Sequence, residues 1–535
     1  VSTDTFRKCL RGFAALAFAD ANPHPKGCLK RQSRQPKAAT ETATDAPARR
    51  AFVRLSGERV ALGGLFVYAL AAPHSIAGAW IGLSFAVLGW LLRALSGGEA
   101  GWRRTPLDLP LWFFFSWTVA SSLLSAEPRT SLAKLLNAAT FLVFYLAQGL
   151  LTRRLAVGLA SLLIASGAAG ALWSAGELLV GRGVVVREVG AESPLRTTPL
   201  APGDAVWRVR GARVSTVAEI DEAIRRAPVG ARLTFGVVTR GEHAEWDAGV
   251  VTQEMQAAAS PSGLAGGGRT HSFRASGWSR HYETFAEMLQ MLAQLALGFA
   301  LANLQRGRRG WGRVALPALA FALLAAGIAL TAMRTVLVAF AIGASVVAVR
   351  GSTRGRARLF VTAGIVFALA FGAVAVWRTR ASGALFLRDD SSRLRREVAS
   401  VALGRVVERP LFGYGMDAVK QHWREWGFPG DVQIHTHSTP VQLAFDRGIP
   451  ALLLWLWLMA AFWLMAARAE RMWRETDAAL THGLALGTTG ALAGFLASSL
   501  VNYNFGDAEV ALLLWWLMAA VVVISREREV IGDER

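Results

Sequence analysis

The chain has 535 residues, 53% hydrophobic and 18% charged, with 58 Lys and Arg against 38 Asp and Glu for a formal charge of +20. That balance excludes a disordered chain and argues against an ordinary soluble enzyme. Nucleic acid does not account for the charge either, because most of the excess is Arg placed between apolar blocks, with no zinc-ligand array or RNP-like aromatic motif beside it. The two cysteines, Cys9 and Cys28, both fall in the polar N-terminal stretch and build no disulfide framework.

Residues 1–57 mix Arg, Lys, Ala, Thr and Pro and read as a disordered cytoplasmic tail; Phe13–Phe18 is too short for a signal-peptide core. Apolar blocks of about 20 residues follow, the length that crosses ~30 Å of hydrocarbon. They lie near 59–73, 76–95, 108–125, 130–150, 155–180, 284–304, 313–331, 333–349, 359–377, 448–467, 480–501 and 508–525. The expected fold is therefore an all-α polytopic membrane protein of about twelve transmembrane helices. Helices one to five occupy 58–180, six to nine 284–377, and ten to twelve 448–525, with 526–535 as a second cytoplasmic tail.

Charge in the connectors sets the orientation. Arg93, Arg103, Arg104, Arg153, Arg154, Arg306, Arg308, Arg309, Arg350, Arg354, Arg468 and Arg471 sit in alternate connectors, while the short connectors opposite carry chiefly Arg129 and Arg334. The positive-inside rule then places both termini of this multi-pass membrane protein in the cytoplasm. Two connectors on the outer side are long, from about 181 to 283 and from 378 to 447. Long ordered connectors carry function or a fold of their own.

In the first, Val184–Val189 and Arg232–Thr239 alternate as strands do, and Val217–Arg226 has a helical pattern behind Ser215 and Thr216. Pro202-Gly203-Asp204 and Arg240-Gly241-Glu242 are turns. With Gly203, Asp204, Gly211 and Gly230 at their places, residues 181–256 resemble a bacterial PDZ domain, a small β-rich insertion. PDZ domains add an extended peptide to a sheet edge, so the resemblance implies either a periplasmic protein partner or a structural lid. Its carboxylate-binding loop would be Gly181-Arg182-Gly183-Val184. Residues 257–283 read as a small-residue linker.

The second connector carries the chemistry. Asp431, His435, His437 and Arg447 lie between the Gly413-Tyr414-Gly415 turn and Pro450, and Arg393, Arg395 and Arg396 open a helical stretch upstream. Arg334 stands in the outer turn of a tight hairpin, against the charge bias, which marks a functional residue. Basic clusters and a histidine at a membrane surface suit an anionic headgroup, a diphosphate above all. Asp431, His435 and His437 offer a second reading as ligands to a divalent ion. Trp423 and Trp426 read as interfacial anchors or as platforms for sugar rings.

The order of these elements resembles the O-antigen ligase and polymerase superfamily. In its ligases a His and a small polar residue stand nine residues before Gly-x-x-Gly. Here His437-Ser438 precede Gly448-Ile449-Pro450-Ala451 at that spacing, with Ala451 replacing the last glycine. Arg334 matches the arginine after a Thr-rich hairpin, and Arg393 or Arg395 matches the one that opens the helix before Pro410–Gly415. Arg274-Ala275-Ser276-Gly277 matches a short motif before the next span, although His281-Tyr282-Glu283 replaces its usual Asn-Pro-Asn.

The resemblance implies a metal-independent transferase without cofactor. It moves a glycan from undecaprenyl diphosphate to an acceptor hydroxyl at the periplasmic face of the bilayer. His437 would be the base, Arg334 with Arg393 or Arg395 would hold the diphosphate, and His435, Arg274 and Gly448 would support them. Ligation to lipid A core leads; another lipid-linked glycan or a protein is the alternative acceptor. A secondary transporter is the reading from a different class, and the scarcity of charge within the spans speaks against it.

Overall fold

The computed structural model describes residues 45–98, 101–239, 241–279, 281–306, 311–352 and 390–533. The first helices are α1 (Asp45–Ala71), α2 (Ile76–Leu95) and α3 (Asp108–Leu124). A broken stretch follows, α4 (Pro128–Ala133), α5 (Leu135–Ala138), one 3₁₀ turn and α6 (Leu142–Leu150), then the long α7 (Arg153–Val180). Beyond the insertion come α10 (Tyr282–Leu304), α11 (Trp311–Thr331), α12 (Arg334–Gly351), α13 (Asp390–Glu408), α14 (Thr439–Arg474), α15 (Ala479–Ser499) and α16 (Ala508–Asp533).

Among the described residues eight helices are long and apolar enough to cross a membrane, so the chain is a multi-pass membrane protein. The other four expected spans differ for separate reasons. The run at 359–377 lies outside the described residues. α3 has 17 residues, and α1 begins at Asp45 with Arg49, Arg50 and Arg54 in its first turns. The apolar run at 130–150 is broken after Ala133 and again at the 3₁₀ turn Ala139–Phe141. Part of the expected disordered tail is helical, since α1 takes in 45–57.

α10 is the most enclosed span and packs on α11, α12 and α15. Its approach to α15 is set by glycine: a Cβ on Gly298 would lie 2.4 Å from the Gly483 carbonyl oxygen and 2.6 Å from the Gly487 nitrogen. Contact this close lets dispersion hold two helices in lipid, where burial of apolar surface supplies little. Glu287, Gln290 and Gln294 recur at helical spacing and are buried. Gln294 donates to the Phe340 carbonyl at 2.9 Å, so α10, α12 and α15 meet around a polar stripe.

The insertion is an antiparallel sheet. Its strands are β1 (Val184–Val189), β2 (Ala205–Val209), β3 (Ala212–Arg213), β4 (Arg232–Thr239), β5 (Glu242–Val250) and β6 (Leu264–Gly266), with α8 (Val217–Arg225) and α9 (Gln253–Ala257). They are ordered β5-β4-β2-β1-β6, with β3 on β2. Val184, Val186, Ile220, Ile224, Leu233, Phe235 and Val237 form its core. Thr216 caps α8 through the Glu219 amide at 3.1 Å.

Two expectations for this insertion change. Residues 257–283 are more than a linker: Leu264–Gly266 pair with Val186–Val189, Leu264 is buried, and Asp221 accepts the Ser262 amide at 2.8 Å. β1 is thereby paired on both sides, so an added peptide finds no open edge there. The expected carboxylate loop is also engaged, because the Arg182 amide donates to the Thr270 carbonyl at 2.8 Å and the Arg182 carbonyl accepts the Thr270 amide at 3.0 Å.

Candidate functional site

The insertion, the α11–α12 hairpin, the start of α14 and the loop after α15 gather at one end of the helices. The opposite end collects basic connectors on buried or half-buried carboxylates: Arg350 and Arg474 on Glu470 at 2.7 and 2.8 Å, and Arg153 on Glu527 at 3.0 Å. The candidate site belongs to the first end.

Its frame is the start of α14. Gly448 interrupts that helix with φ 81° and ψ 168°. A Cβ there would lie 1.8 Å from the Leu411 carbonyl oxygen, and the Ile449 amide donates to the Pro410 carbonyl at 2.7 Å. Only glycine lets the Pro410–Gly415 segment cross the helix this closely. That segment is then stitched down, with the Tyr414 and Gly415 amides donating to the Phe445 and Asp446 carbonyls at 2.8 and 2.9 Å. Gly448 thus shapes the site from behind the chemistry.

Immediately before α14, His437 adopts φ 57°. A histidine in the left-handed region costs energy and persists where its surroundings fix it. They do so here: the Ser438 carbonyl accepts the Gln442 amide at 2.8 Å as α14 begins, and the Thr439 amide and hydroxyl both donate to the Asn502 carbonyl at 3.1 Å. The His437 amide donates to His435 Nδ1 at 3.2 Å, which puts the proton of His435 on Nε2. The two rings meet edge to face, 4.6 Å between centroids.

Asn502 joins the pieces. Its side-chain nitrogen donates to Thr335 Oγ1 at 3.2 Å, to Glu287 at 3.1 Å and to Ser498 at 2.9 Å, while its oxygen accepts from Arg395 at 3.4 Å. The residue next to Arg334 is therefore tied through one amide to Arg395 and to the segment that carries the histidines. Ala332, with φ 54°, turns the chain so that Arg334 opens α12. Arg274 closes the same corner, its guanidinium 4.5 Å from the Tyr282 ring and 4.0 Å from Met333 Sδ.

The two candidate arginines of α13 part company. Arg393 is 74% exposed and pairs with Glu397 one turn on, at 2.8 Å. Arg395 is 25% exposed, lies 3.8 Å from Glu283, and its charge acts on both histidines. Burial first, then His435 and Arg395, lower the His437 pKa to about 3; burial and Arg395 lower that of His435 to about 4. Both rings are neutral at pH 7, and a neutral imidazole can accept a proton.

Trp423 and Trp426 are neither platforms nor anchors. Both are buried with Val398, Tyr414, Phe428 and Phe445, and Trp423 Nε1 donates to the Pro429 carbonyl at 3.1 Å. Burying a ring of this size outweighs interfacial placement once a protein core is at hand. Asp431 is exposed. No three His, Cys, Asp or Glu side chains gather to hold a metal ion among the described residues. Sequence reasoning missed Asn502 and Glu287; the run Asn502-Tyr503-Asn504, polar at the end of an apolar block, was the signal for the first.

Residues 319–456 match a family model described as O-antigen ligase. The match runs from α11 through α14 and so takes in Arg334, Arg393, Arg395, His435, His437 and Gly448. No curated protein matches the chain.

Proposed function

On the premise that the chain belongs to the O-antigen ligase superfamily, we propose that it transfers a glycan from undecaprenyl diphosphate to an acceptor hydroxyl at the periplasmic face of the inner membrane, with lipid A core as the acceptor. The observation that carries this reading is the convergence on Asn502 of Arg395, of Thr335 beside Arg334, and of the segment that bears His435 and His437. His437 takes the hydroxyl proton, and the acceptor oxygen bonds to the anomeric carbon. The bond from that carbon to the diphosphate oxygen breaks, and its electron pair leaves on the diphosphate. Arg395 and Arg334 stabilise the charge released.

The geometry favours Arg395 over Arg393 for this role. A free-protein His437 pKa near 3 makes a weak base, and the bound diphosphate raises it by stabilising the imidazolium. His435 orients His437 through the hydrogen bond from the His437 amide, and Arg274 lies against Met333, the residue before Arg334. The insertion is a structural module, with β1 closed by β6 of its own chain.

The test compares lipid-linked and mature envelope glycans in a deletion strain carrying wild type, His437→Ala or Arg395→Ala at equal expression. Full-length chains stranded on the carrier support ligation. Core bearing a single repeat identifies a polymerase instead, and unmodified protein with normal lipopolysaccharide identifies a protein transferase. Wild-type glycans from both variants would overturn the site.

A further inference from the structure

His435 faces a second space. A cavity of about 250 Å³ is lined by His435, by residues of α3, the broken stretch 134–141 and the start of α14, and by Tyr503, Phe505, Gly506 and Asp507. Neither His437 nor Arg274, Arg334 or Arg395 lines it, so it is distinct from the basic corner to which the diphosphate is assigned.

Its polar wall is built around Arg447, which is 7% exposed. One guanidinium nitrogen donates to Thr118 Oγ1 at 3.4 Å, and Nε has no hydrogen-bond partner among the described residues. A buried guanidinium with so little satisfaction is costly unless a ligand supplies oxygen. Beside it Asp446, also buried, accepts from Gln442 Nε2 at 2.8 Å, and Gln442 Oε1 accepts the Thr436 amide at 2.7 Å. The wall is thus coupled to the histidine segment. Lys134 and Asp417, paired at 3.1 Å, stand at another part of the lining. Phe114, Phe141 and Trp515 supply aromatic surface.

The charges decide what fits. Arg447 and Lys134 are opposed by Asp417, Asp446 and Asp507, so the lining does not favour a diphosphate. Adjacent donors and acceptors against aromatic faces suit a neutral ring with several hydroxyls. The volume lies just under the ~300 Å³ at which drug-sized pockets begin, room for about one sugar ring.

We propose that this cavity binds the terminal sugar of the acceptor, with Arg447 and Asp446 gripping its hydroxyls and His435 standing between it and the donor site. The assignment to the acceptor rests on the glycan-transfer reading; the presence of a sugar site does not. The test is equilibrium binding of two radiolabelled probes, free lipopolysaccharide core oligosaccharide and free repeat-unit oligosaccharide, to the purified full chain without donor. Wild type binds one of them, and Arg447→Lys and Lys134→Ala weaken that binding about tenfold or more, the loss of one charge-assisted hydrogen bond. Arg393→Ala, exposed and outside the lining, binds as wild type does.

Lys134 is 39% exposed, so its variant keeps the test open if the Arg447 variant misfolds. No binding by wild type, or equal binding by both cavity variants, overturns the proposal. Binding that passes this test in a chain that transfers no glycan upholds the sugar site and defeats the transfer reading instead.

Discussion

Arg182 and Arg447 are each nine-tenths buried, yet their surroundings have opposite character. Arg182, at the foot of the insertion, pairs with Glu177 and meets His243 Nε2 at 2.8 Å. Its guanidinium lies 4.4 Å from the Trp207 ring and 4.6 Å from that of Phe273. Arg213 adds a second cation to Glu177 at 3.0 Å. Arg447 has one long hydrogen bond and a Phe114 ring at 5.5 Å. A buried cation whose directions are all filled holds structure together; one left short of partners beside a cavity is equipped to hold something else. A similar contrast separates Arg393, exposed and paired with Glu397, from Arg395, half-buried and donating to Asn502 Oδ1 at 3.4 Å.

The comparison can be broken first at the chemistry. His437→Ala is expected to lower glycan transfer by roughly 10²–10⁴-fold, the usual worth of a general base, with its thermal unfolding in detergent unchanged. Transfer within a few-fold of wild type would remove His437 from the reaction. Next comes Arg182→Ala, which leaves Glu177 buried beside Arg213 alone and is expected to cost about 3–5 kcal/mol of stability. Its unfolding midpoint should fall while the protein that remains folded transfers glycan normally. A selective loss of turnover would place the insertion in the catalytic cycle.

Trp423→Ala is expected to destabilise by about 3–5 kcal/mol without changing which sugars are used, because the ring is core and not platform. Altered sugar preference at unchanged stability would reverse that assignment. The arginine pair gives a smaller effect: Arg395→Ala should slow transfer about 10–100-fold and Arg393→Ala by no more than about twofold. Equal effects would erase the distinction between them.

The smallest and sharpest test is pH. With a free-protein His437 pKa near 3, kcat/KM should not fall as pH drops through 6.5, where an ordinary histidine would protonate. His435→Ala opens the site to water and removes a neighbouring group, so the acid limb should move up toward 6.5. The same shifts make a statement about stability. Both pKa values are lower in the folded chain than in the unfolded one, so unfolding takes up protons below pH 6.5. The stabilisation from two neutral histidines is full above that value and is lost progressively as pH falls toward 4 and 3.

Much was legible without coordinates because it depends on local or additive properties. The apolar blocks foretold helices long and apolar enough to cross a membrane at eight of the twelve expected places among the described residues. Charge and spacing marked Arg334, His435 and His437 as candidates. Alternation and turn residues gave the strands and α8 of the insertion. Other features were out of reach because they depend on which distant surfaces meet. Nothing local distinguishes Arg393 from Arg395, two residues apart on one helix; the loop around Asn502 does, by accepting a hydrogen bond from one of them. Trp423 and Trp426 looked like interface residues until Phe428 and Phe445 closed over them.

Composition, periodicity and charge by themselves determined a multi-pass membrane chain with a β-rich insertion and a basic, histidine-bearing connector, since hydrophobic length and charge position are sums along the chain. The tertiary structure alone decided that Leu264–Gly266 close the edge of β1, that Arg395 meets the loop around Asn502, and that Arg447 lines a cavity. Those outcomes turn on packing between segments far apart in sequence, where a shift of one residue in register exchanges a solvated side chain for a functional one.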